Sequence, residues 1–243
     1  MENNIENNPS EVKENVVNNN SKKTIASALV VMGVLLVGVF LLKGTTPPIE
    51  TADNDSENIY DSIVIKPIEV DEHIYGNPEA EIMIVEYSDT ECPFCKNFHT
   101  TMHNIVEESN GEVAWVYRHY PIAQLHPKAF HEAEATECAS ELGGNDAFWK
   151  YTDQVYLRTQ SNDSLDVAEL PKIAQDLGLD MSAFNTCLAS GKFAEKIQAD
   201  MLDGENAGVQ GTPTSFIVKD DVVVDIIQGA QPIDIVMEKI NNL

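Results

Sequence analysis

Basic side chains are scarce in this sequence of 243 residues. It contains 15 Lys and Arg residues against 40 Asp and Glu residues, so its formal net charge is −25. A nucleic-acid partner is therefore not expected, because this much negative charge would repel phosphates. Cysteine is also rare, and four cysteines are too few for a miniprotein held together by disulfides. The sequence has no glycine-rich phosphate loop and no Ser-His-Asp arrangement.

The charge is unevenly distributed along the chain. Hydrophobic residues make up 43% of the sequence, which is enough for a core and excludes an acidic disordered protein. The first 43 residues contain four acidic and four basic side chains, so the whole net charge lies beyond them. This break in composition suggests that the two parts of the chain occupy different environments.

The N-terminal part contains a long hydrophobic run. Residues 1–23 are rich in Asn and poor in apolar side chains, and we predict that they form a disordered cytoplasmic tail. Residues 25–42 carry no charge, and 18 helical residues span roughly 27 Å, close to the hydrocarbon thickness of a bilayer. We therefore predict one transmembrane helix over residues 24–43.

Two other interpretations of this run stay open. A cleaved signal peptide is one, although its apolar segment is normally shorter and an Ala-x-Ala cleavage site is missing here. A buried helix of a soluble domain is the other. Lys13, Lys22 and Lys23 precede the run, and only Lys43 follows it before Lys66. If the run spans a membrane, the positive-inside rule places the N-terminus in the cytoplasm and the acidic remainder outside.

The rest of the sequence divides into a linker and a domain. Residues 44–67 are polar, acidic and interrupted by Pro, so we expect a tether. Residues 68–243 are enough for a domain with a single core. Their pattern predicts the order strand, helix, strand, long helical block, hairpin and helix. The predicted strands cover 81–87, 112–120, 215–218 and 222–227. The helical block covers 126–208, with predicted breaks at Gly143-Gly144, near 161–164, at Gly178 and at Gly191.

The chemistry centres on Cys92-Pro93-Phe94-Cys95, at the start of the first predicted helix of the domain. This spacing brings two thiols within disulfide range, at the positive end of a helix dipole that stabilises a thiolate. Pro93 suits the first helical turn because it has no N–H to leave unpaired. The pair predicts a reversible disulfide in which Cys92 exchanges with the substrate and Cys95, one turn inside, resolves the mixed disulfide.

Half of a zinc site is the alternative interpretation of this pair. Zinc requires further ligands, and the other two cysteines, Cys138 and Cys187, stand alone. His99 and His103 could join the pair, because their spacing places them on one face of the same helix. Histidines on helix surfaces are common, however, and we favour redox chemistry, which predicts no cofactor and no metal site.

Three segments in this order and spacing resemble the DsbA-like branch of the thioredoxin-fold disulfide oxidoreductases: IVEYSDTECPFCKNF, HPKAFHEAEATECA and GVQGTPTSFIV. The resemblance covers about residues 69–243. It implies an α/β, thioredoxin-like fold with a helical insertion at about residues 123–207. It also implies that Thr212-Pro213 forms a cis-proline loop beside the Cys92-Cys95 disulfide and shapes a substrate groove. The residues of this loop alone predict only a turn.

Glu86 lies on the predicted buried strand, six residues before Cys92, where this family often has an acidic residue under the active site. A carboxyl group buried there should have a raised pKa, and it could relay a proton to or from Cys95. An ordinary acid at the end of a strand is the alternative.

Cys138 and Cys187 lie in two predicted helical segments, and the resemblance implies that they form a second disulfide across the insertion. Such a bridge is favoured outside the cytoplasm and would close a loop of about 50 residues. Two buried free thiols are the alternative.

The sequence departs from the family pattern between the active-site cysteines. The strongly oxidising members have Pro-His, whereas this chain has Pro-Phe. Without a histidine to stabilise the thiolate, and with Asp89 and Glu91 nearby, we expect Cys92 to belong to a milder oxidant.

By this resemblance the chain is a membrane-tethered enzyme, a thiol-disulfide oxidoreductase that forms disulfides in exported proteins. Its partners would be reduced or unfolded exported proteins and a membrane-bound reoxidase, and its catalytic domain would lie outside the cytoplasm. A disulfide isomerase or reductase is the alternative within this class. A non-enzymatic, metal-binding thioredoxin-fold module is the alternative outside it.

Overall fold

The computed structural model describes residue 60 and residues 62–243, all of which belong to one structural unit, Asn54–Leu243. The predicted cytoplasmic tail, the predicted transmembrane helix and residues 44–59 and 61 of the predicted linker lie outside the described residues. Within the described part of the chain, every helix is too short or too polar to cross a bilayer.

A mixed sheet of five strands forms the centre of this unit. The strands are β1 (His73–Tyr75), β2 (Ile82–Ser88), β3 (Val113–His119), β4 (Thr214–Lys219) and β5 (Val222–Gln228). They lie in the order β1-β3-β2-β4-β5, with β2 and β3 parallel and the other pairs antiparallel. The central strand β2 is buried along its whole length, as its apolar and β-branched sequence predicts.

The described residues form six helices. They are α1 (Pro93–Glu108), α2 (Ala129–Arg158), α3 (Glu169–Asp176), α4 (Met181–Ser190), α5 (Ala194–Asn206) and α6 (Ile233–Asn241). Alternate residues of β2 face opposite sides of the sheet. Ile84 packs into a core with residues of α1, α2 and α6, whereas Val85 packs into a second core on the other face. Helix α1 thus lies against the centre of the sheet, with its first turn at the end of β2.

Helices α2 to α5 form an insertion between β3 and β4. The insertion has an apolar core of its own, and in it Cys138 of α2 and Cys187 of α4 are joined by a disulfide. Gly144, with φ of 72°, interrupts α2, and Gly191, with φ of 63°, ends α4; both were predicted breaks. The predicted α/β fold with a helical insertion is therefore confirmed.

The structured part starts earlier than the predicted boundary at residue 68. The Lys66 backbone N–H donates to the Asp203 carboxylate at 2.7 Å, and the Lys66 ammonium group contacts Asp200 at 2.8 Å. Ile63 and Ile65 pack against the core on the face of the sheet opposite α1. Residues 62–67 therefore belong to the domain, because their apolar and basic side chains find partners on it.

We predict that the Cys138–Cys187 disulfide stabilises the domain by about 3 to 4 kcal/mol, since it closes a loop with a sequence separation of 49. Urea titration of a Cys138→Ala/Cys187→Ala variant is expected to show this loss of unfolding free energy. The reduced parent protein is the control and should unfold like the variant. Equal urea midpoints for the variant and the oxidised parent would contradict the prediction.

Candidate active site

The junction between β2 and α1 positions the two free cysteines. After β2 ends, residues 89–91 make a turn, and Cys92 follows as the N-cap residue of α1 in an extended conformation. Pro93 occupies the first turn, as predicted. Cys92 is 5% exposed and Cys95, one turn further along, is completely buried. The predicted difference in accessibility between the two thiols is therefore present.

Asp89 holds the turn before Cys92 in place. One carboxylate oxygen of Asp89 accepts the Glu91 N–H at 2.9 Å, and the other accepts the Ile122 N–H at 2.8 Å. The second oxygen also lies 2.9 Å from His126 Nδ1. Asp89 thus ties the turn to the segment that follows β3.

Glu91 ties the same turn to the helical insertion. Its buried carboxylate accepts a hydrogen bond from the Thr159 hydroxyl at 2.9 Å and from the backbone N–H groups of Ser164 and Leu165 at 3.1 and 3.0 Å. From the sequence alone, Asp89 and Glu91 are only negative charges close to Cys92. In the structure both carboxylates are bound by hydrogen-bond donors, and their main role is to shape the turn.

Glu132 of α2 is a further buried acid behind this turn. It accepts a hydrogen bond from the Thr90 hydroxyl at 2.6 Å. Burial raises its pKa to about 8, and the neighbouring carboxylates of Glu91 and Asp89 act in the same direction. Glu132 is therefore mostly protonated at neutral pH. It lies within the segment HPKAFHEAEATECA, but its contact with Thr90 depends on how the insertion packs.

The loop before β4 lies against Cys92. The Thr212-Pro213 peptide bond is cis, and the Cys92 thiol donates to the Thr212 carbonyl oxygen at 3.3 Å. An open cavity of about 400 Å³ lies at this loop and is lined by residues 210–214 together with Gln228 and Gly229. The structure thus places Thr212 and Pro213 beside the free thiols, with room for a peptide next to them.

The surroundings of Cys92 favour its thiolate. The Cys95 thiol is the main cause, and the backbone N–H groups of Cys95 and Phe94 and the Thr212 side chain act with it. Together they overcome the opposing effect of burial and lower the pKa of Cys92 to about 6. At neutral pH most Cys92 is therefore a thiolate, although no histidine lies between the two cysteines.

Cys95 has the opposite character. Complete burial raises its pKa well above the ordinary thiol value, and the sulfur of Cys92 and the carboxyl of Glu86 contribute further. Cys95 is therefore protonated at neutral pH. The two thiols of one motif thus differ sharply in proton affinity.

Glu86 lies beneath the motif on β2. It is fully buried, and neither carboxyl oxygen has a hydrogen-bond partner among the described residues. Burial raises the pKa of Glu86 to about 8, and the polar groups of Ser88 and Trp115 offset this only in part. The raised pKa expected from the sequence is therefore found.

Three buried hydroxyl groups near this acid contact one another and were not predicted. The Tyr156 hydroxyl lies 3.1 Å from the Ser88 hydroxyl and 3.3 Å from that of Tyr117. The charges of Glu86 and Cys95 help to raise the pKa of both tyrosines, although burial is the main cause. Tyr117 lies opposite Glu86 in the pairing of β2 with β3. Pairing the two predicted strands in this register would have brought the two residues together from the sequence.

His99 and His103 do not complete a site with the two cysteines. Their Nε2 atoms lie 2.7 and 3.0 Å from the carboxylate of Asp153 on α2. The zinc site considered from the sequence, made of Cys92, Cys95 and these histidines, is therefore not assembled in the described structure.

Comparisons with known proteins agree with this geometry. A family model described as thioredoxin matches residues 69–234. The chain is similar to DsbA2 of Pseudomonas aeruginosa, with 27% identity and a TM-score of 0.61 over 72% of this chain and 96% of that one. It is also similar to BdbD of Bacillus subtilis, with 19% identity and a TM-score of 0.64 over 75% of this chain and 97% of that one. The second likeness shows a shared fold alone.

Among curated proteins, the chain is similar to the Na(+)/H(+) antiporter NhaA 3 of Salinispora tropica. The two are 36% identical over 163 residues, which are 67% of this chain and 24% of the antiporter. The chain therefore spans about a quarter of the length of the curated relatives that it matches.

We predict that Cys95→Ala raises the pKa of Cys92 from about 6 toward the ordinary value of 9.0, because the Cys95 thiol is the main cause of the shift. The pH dependence of thiolate absorbance and of alkylation by iodoacetamide measures this pKa. The Cys138→Ala/Cys187→Ala variant is the control and should keep the low pKa. An unchanged Cys92 pKa in Cys95→Ala would show that the backbone N–H groups and Thr212 are responsible instead.

Proposed function

This chain belongs to the thioredoxin family and has the DsbA-like form of its fold, and on that premise we propose that it is an extracytoplasmic enzyme that forms disulfides in exported proteins. The observation that carries the proposal is the contrast between the two thiols. Cys92 has a lowered pKa and a little exposure, whereas Cys95 is buried with a raised pKa. This contrast suits an attack of a substrate thiolate at Cys92, with Cys95 as the sulfur that is released and takes up a proton.

The proposed reaction starts from the Cys92–Cys95 disulfide. A substrate thiolate attacks Cys92 Sγ, the bond to Cys95 breaks, and its electron pair stays on Cys95 Sγ, which takes up a proton. A second substrate thiolate then attacks the substrate sulfur of the mixed disulfide, and Cys92 leaves as a thiolate. The substrate gains a disulfide, and the enzyme gains two electrons. The low pKa of Cys92 favours this second step, because a more acidic thiol is a better leaving group.

Glu86 is proposed to supply the proton that Cys95 takes up. With a pKa of about 8, the Glu86 carboxyl is protonated at neutral pH, and its charge state affects that of Cys95. A buried thiolate would otherwise form in an apolar environment at high cost. Glu86 would then recover its proton when the enzyme is reoxidised.

The proposed location and partners rest on the N-terminal sequence and on the fold. The charge-free run 25–42 would anchor the domain at the outer face of a membrane, where exported chains emerge. A membrane-bound reoxidase would accept the two electrons. The Cys138–Cys187 disulfide supports an oxidising compartment, because such bridges are rare in the cytoplasm.

We propose no transport activity for this chain. The antiporter name belongs to relatives of which the chain spans only about a quarter, and a match of 163 residues in a chain of 243 has to include the cysteine pair. A reductase would use the same residues to run the exchange in the opposite direction. An isomerase would run it in both directions. The redox state of the cysteine pair in the cell distinguishes these activities from that of an oxidase.

The proposed function predicts that the oxidised full-length protein, in detergent, oxidises a peptide with two cysteines. Cys92→Ser should abolish this activity, and Cys138→Ala/Cys187→Ala, which removes the other cysteine pair, should retain it. In the reverse direction, the Cys92 thiolate of Cys95→Ser should attack disulfides of exported proteins, release one client thiolate and stay joined to the client as a mixed disulfide, because no Cys95 thiol is present to resolve it. If alkylation of cell samples finds Cys92 and Cys95 mainly reduced, a reductase or isomerase is the better assignment.

We predict that Glu86→Gln slows peptide oxidation at neutral pH by at least about tenfold, because the proton donor is lost. The difference in rate between the parent and Glu86→Gln should disappear as the pH rises above about 8, because Glu86 is then ionised in the parent. An equal rate at neutral pH would exclude the relay.

Stability measurements are the control for this variant. The pKa of Glu86 is raised in the folded protein, so the folded state loses stability progressively from pH 4.5 up to about 8. Removing the carboxyl should therefore raise the thermal midpoint at neutral pH. A slower variant that is also more stable cannot owe its lower rate to unfolding.

A further inference from the structure

Histidine and carboxylate side chains come together at two places outside the exchange site. At each place, three possible ligand atoms lie within 4.8 Å of one another. The two sets are His73 with His119 and Glu137, and His99 with His103 and Asp153.

The first set is already in contact with a positively charged side chain. The Lys196 ammonium group lies 3.0 Å from His73 Nε2 and 2.7 Å from the Glu137 carboxylate. A metal ion would have to displace this ammonium group. The set is therefore a buried hydrogen-bonded cluster that stabilises the contact between α5, α2 and β1.

We propose that the second set, His99, His103 and Asp153, binds a divalent transition-metal ion of the zinc class. The two Nε2 atoms are 3.2 Å apart, and they lie 2.7 and 3.0 Å from the same oxygen of Asp153. Ligands about 2.0 to 2.1 Å from a tetrahedral zinc ion are about 3.3 Å from one another. Shifts of a few tenths of an ångström therefore convert the present arrangement into three ligands around one ion.

The two imidazole rings are held in this orientation by aromatic neighbours. The ring of His103 packs edge-on against Tyr75, with centroids 4.3 Å apart. The ring of His99 lies 5.1 Å from Trp115 and 4.6 Å from Tyr156. Since these rings belong to β1, β3 and α2, the fold itself fixes both histidines, and binding would cost little side-chain entropy.

The site is accessible, and no lysine or arginine among the described residues is bound to Asp153. It opens to a surface cleft of about 450 Å³, and the Asp153 side chain is 42% exposed. Lys96 is the one lysine or arginine among the described residues that line this cleft, and it donates instead to the Thr159 carbonyl oxygen at 2.5 Å. The strongly negative net charge of the chain attracts cations to its surface.

The second coordination shell sets a limit on affinity. His99 Nδ1 is buried and has no hydrogen-bond partner among the described residues. Metal-binding histidines normally donate their second nitrogen to an acceptor, and losing such a partner lowers affinity by roughly 10-fold to 100-fold. We therefore expect binding that is reversible and sensitive to chelators.

A bound ion would join α1, which begins at the reactive thiol, to α2 of the insertion. This site is independent of the proposed redox function, because none of its three ligands belongs to the cysteine pair or the cis-proline loop.

The test uses the full-length protein in detergent, without a histidine tag and with Cys92→Ser/Cys95→Ser, so that the dithiol cannot bind metal. Zn²⁺ is titrated in competition with a chromophoric chelator. One equivalent is expected to bind, and His103→Gln and Asp153→Asn should each weaken binding at least tenfold. His131→Gln is the matched control on α2, since His131 is 44% exposed and lies outside the site.

The proposal is overturned if less than one equivalent binds, or if His103→Gln and Asp153→Asn bind Zn²⁺ as tightly as the His131→Gln control. Circular dichroism shows whether each variant is folded. If His103→Gln does not fold, the more exposed Asp153→Asn variant decides the outcome. Zn²⁺ should also raise the thermal midpoint of the parent and of His131→Gln, but not that of Asp153→Asn.

Discussion

Burial of Cys95 beneath the first turn of α1 is the constraint on which the exchange site depends. A thiol without access to water holds its proton, and as a hydrogen-bond donor it stabilises the thiolate of the more exposed Cys92. The same burial affects Glu86, whose carboxyl group has no hydrogen-bond partner in the described part of the chain and is mostly uncharged at neutral pH. One apolar environment thus sets the protonation of three groups, and each has the state that thiol exchange requires.

The helical insertion takes part in the site although it contributes none of the sulfur atoms that exchange. Glu91, the residue before Cys92, is bound by the loop that follows α2, and Thr90 is bound by Glu132 of α2. Asp89 is bound by the segment that leads into the insertion. The conformation of the turn before Cys92 is therefore determined by how the insertion packs on the thioredoxin-like core.

Much of the fold and of the site could be predicted from local sequence patterns. The strand β2, the Cys92-Pro93-Phe94-Cys95 motif and the glycine breaks of the insertion each depend on a few neighbouring residues. The strand β1 was missed because three residues give too little pattern, and the start of the domain was placed too late because Lys66 finds its partners about 135 residues away. Asp153 could not be assigned to His99 and His103, since that contact exists only once α2 packs on α1.

The Cys138–Cys187 bridge has a consequence for selectivity. A protein that exchanges disulfides also contains one of its own, and its reactive thiolate must not attack that bond. The two bridge cysteines are buried in an apolar core of the insertion, separate from the core that contains Cys92. Exchange requires a direct approach of sulfur to sulfur, so within one folded chain the separation of the two cores keeps the Cys92 thiolate away from the bridge, without any recognition of sequence.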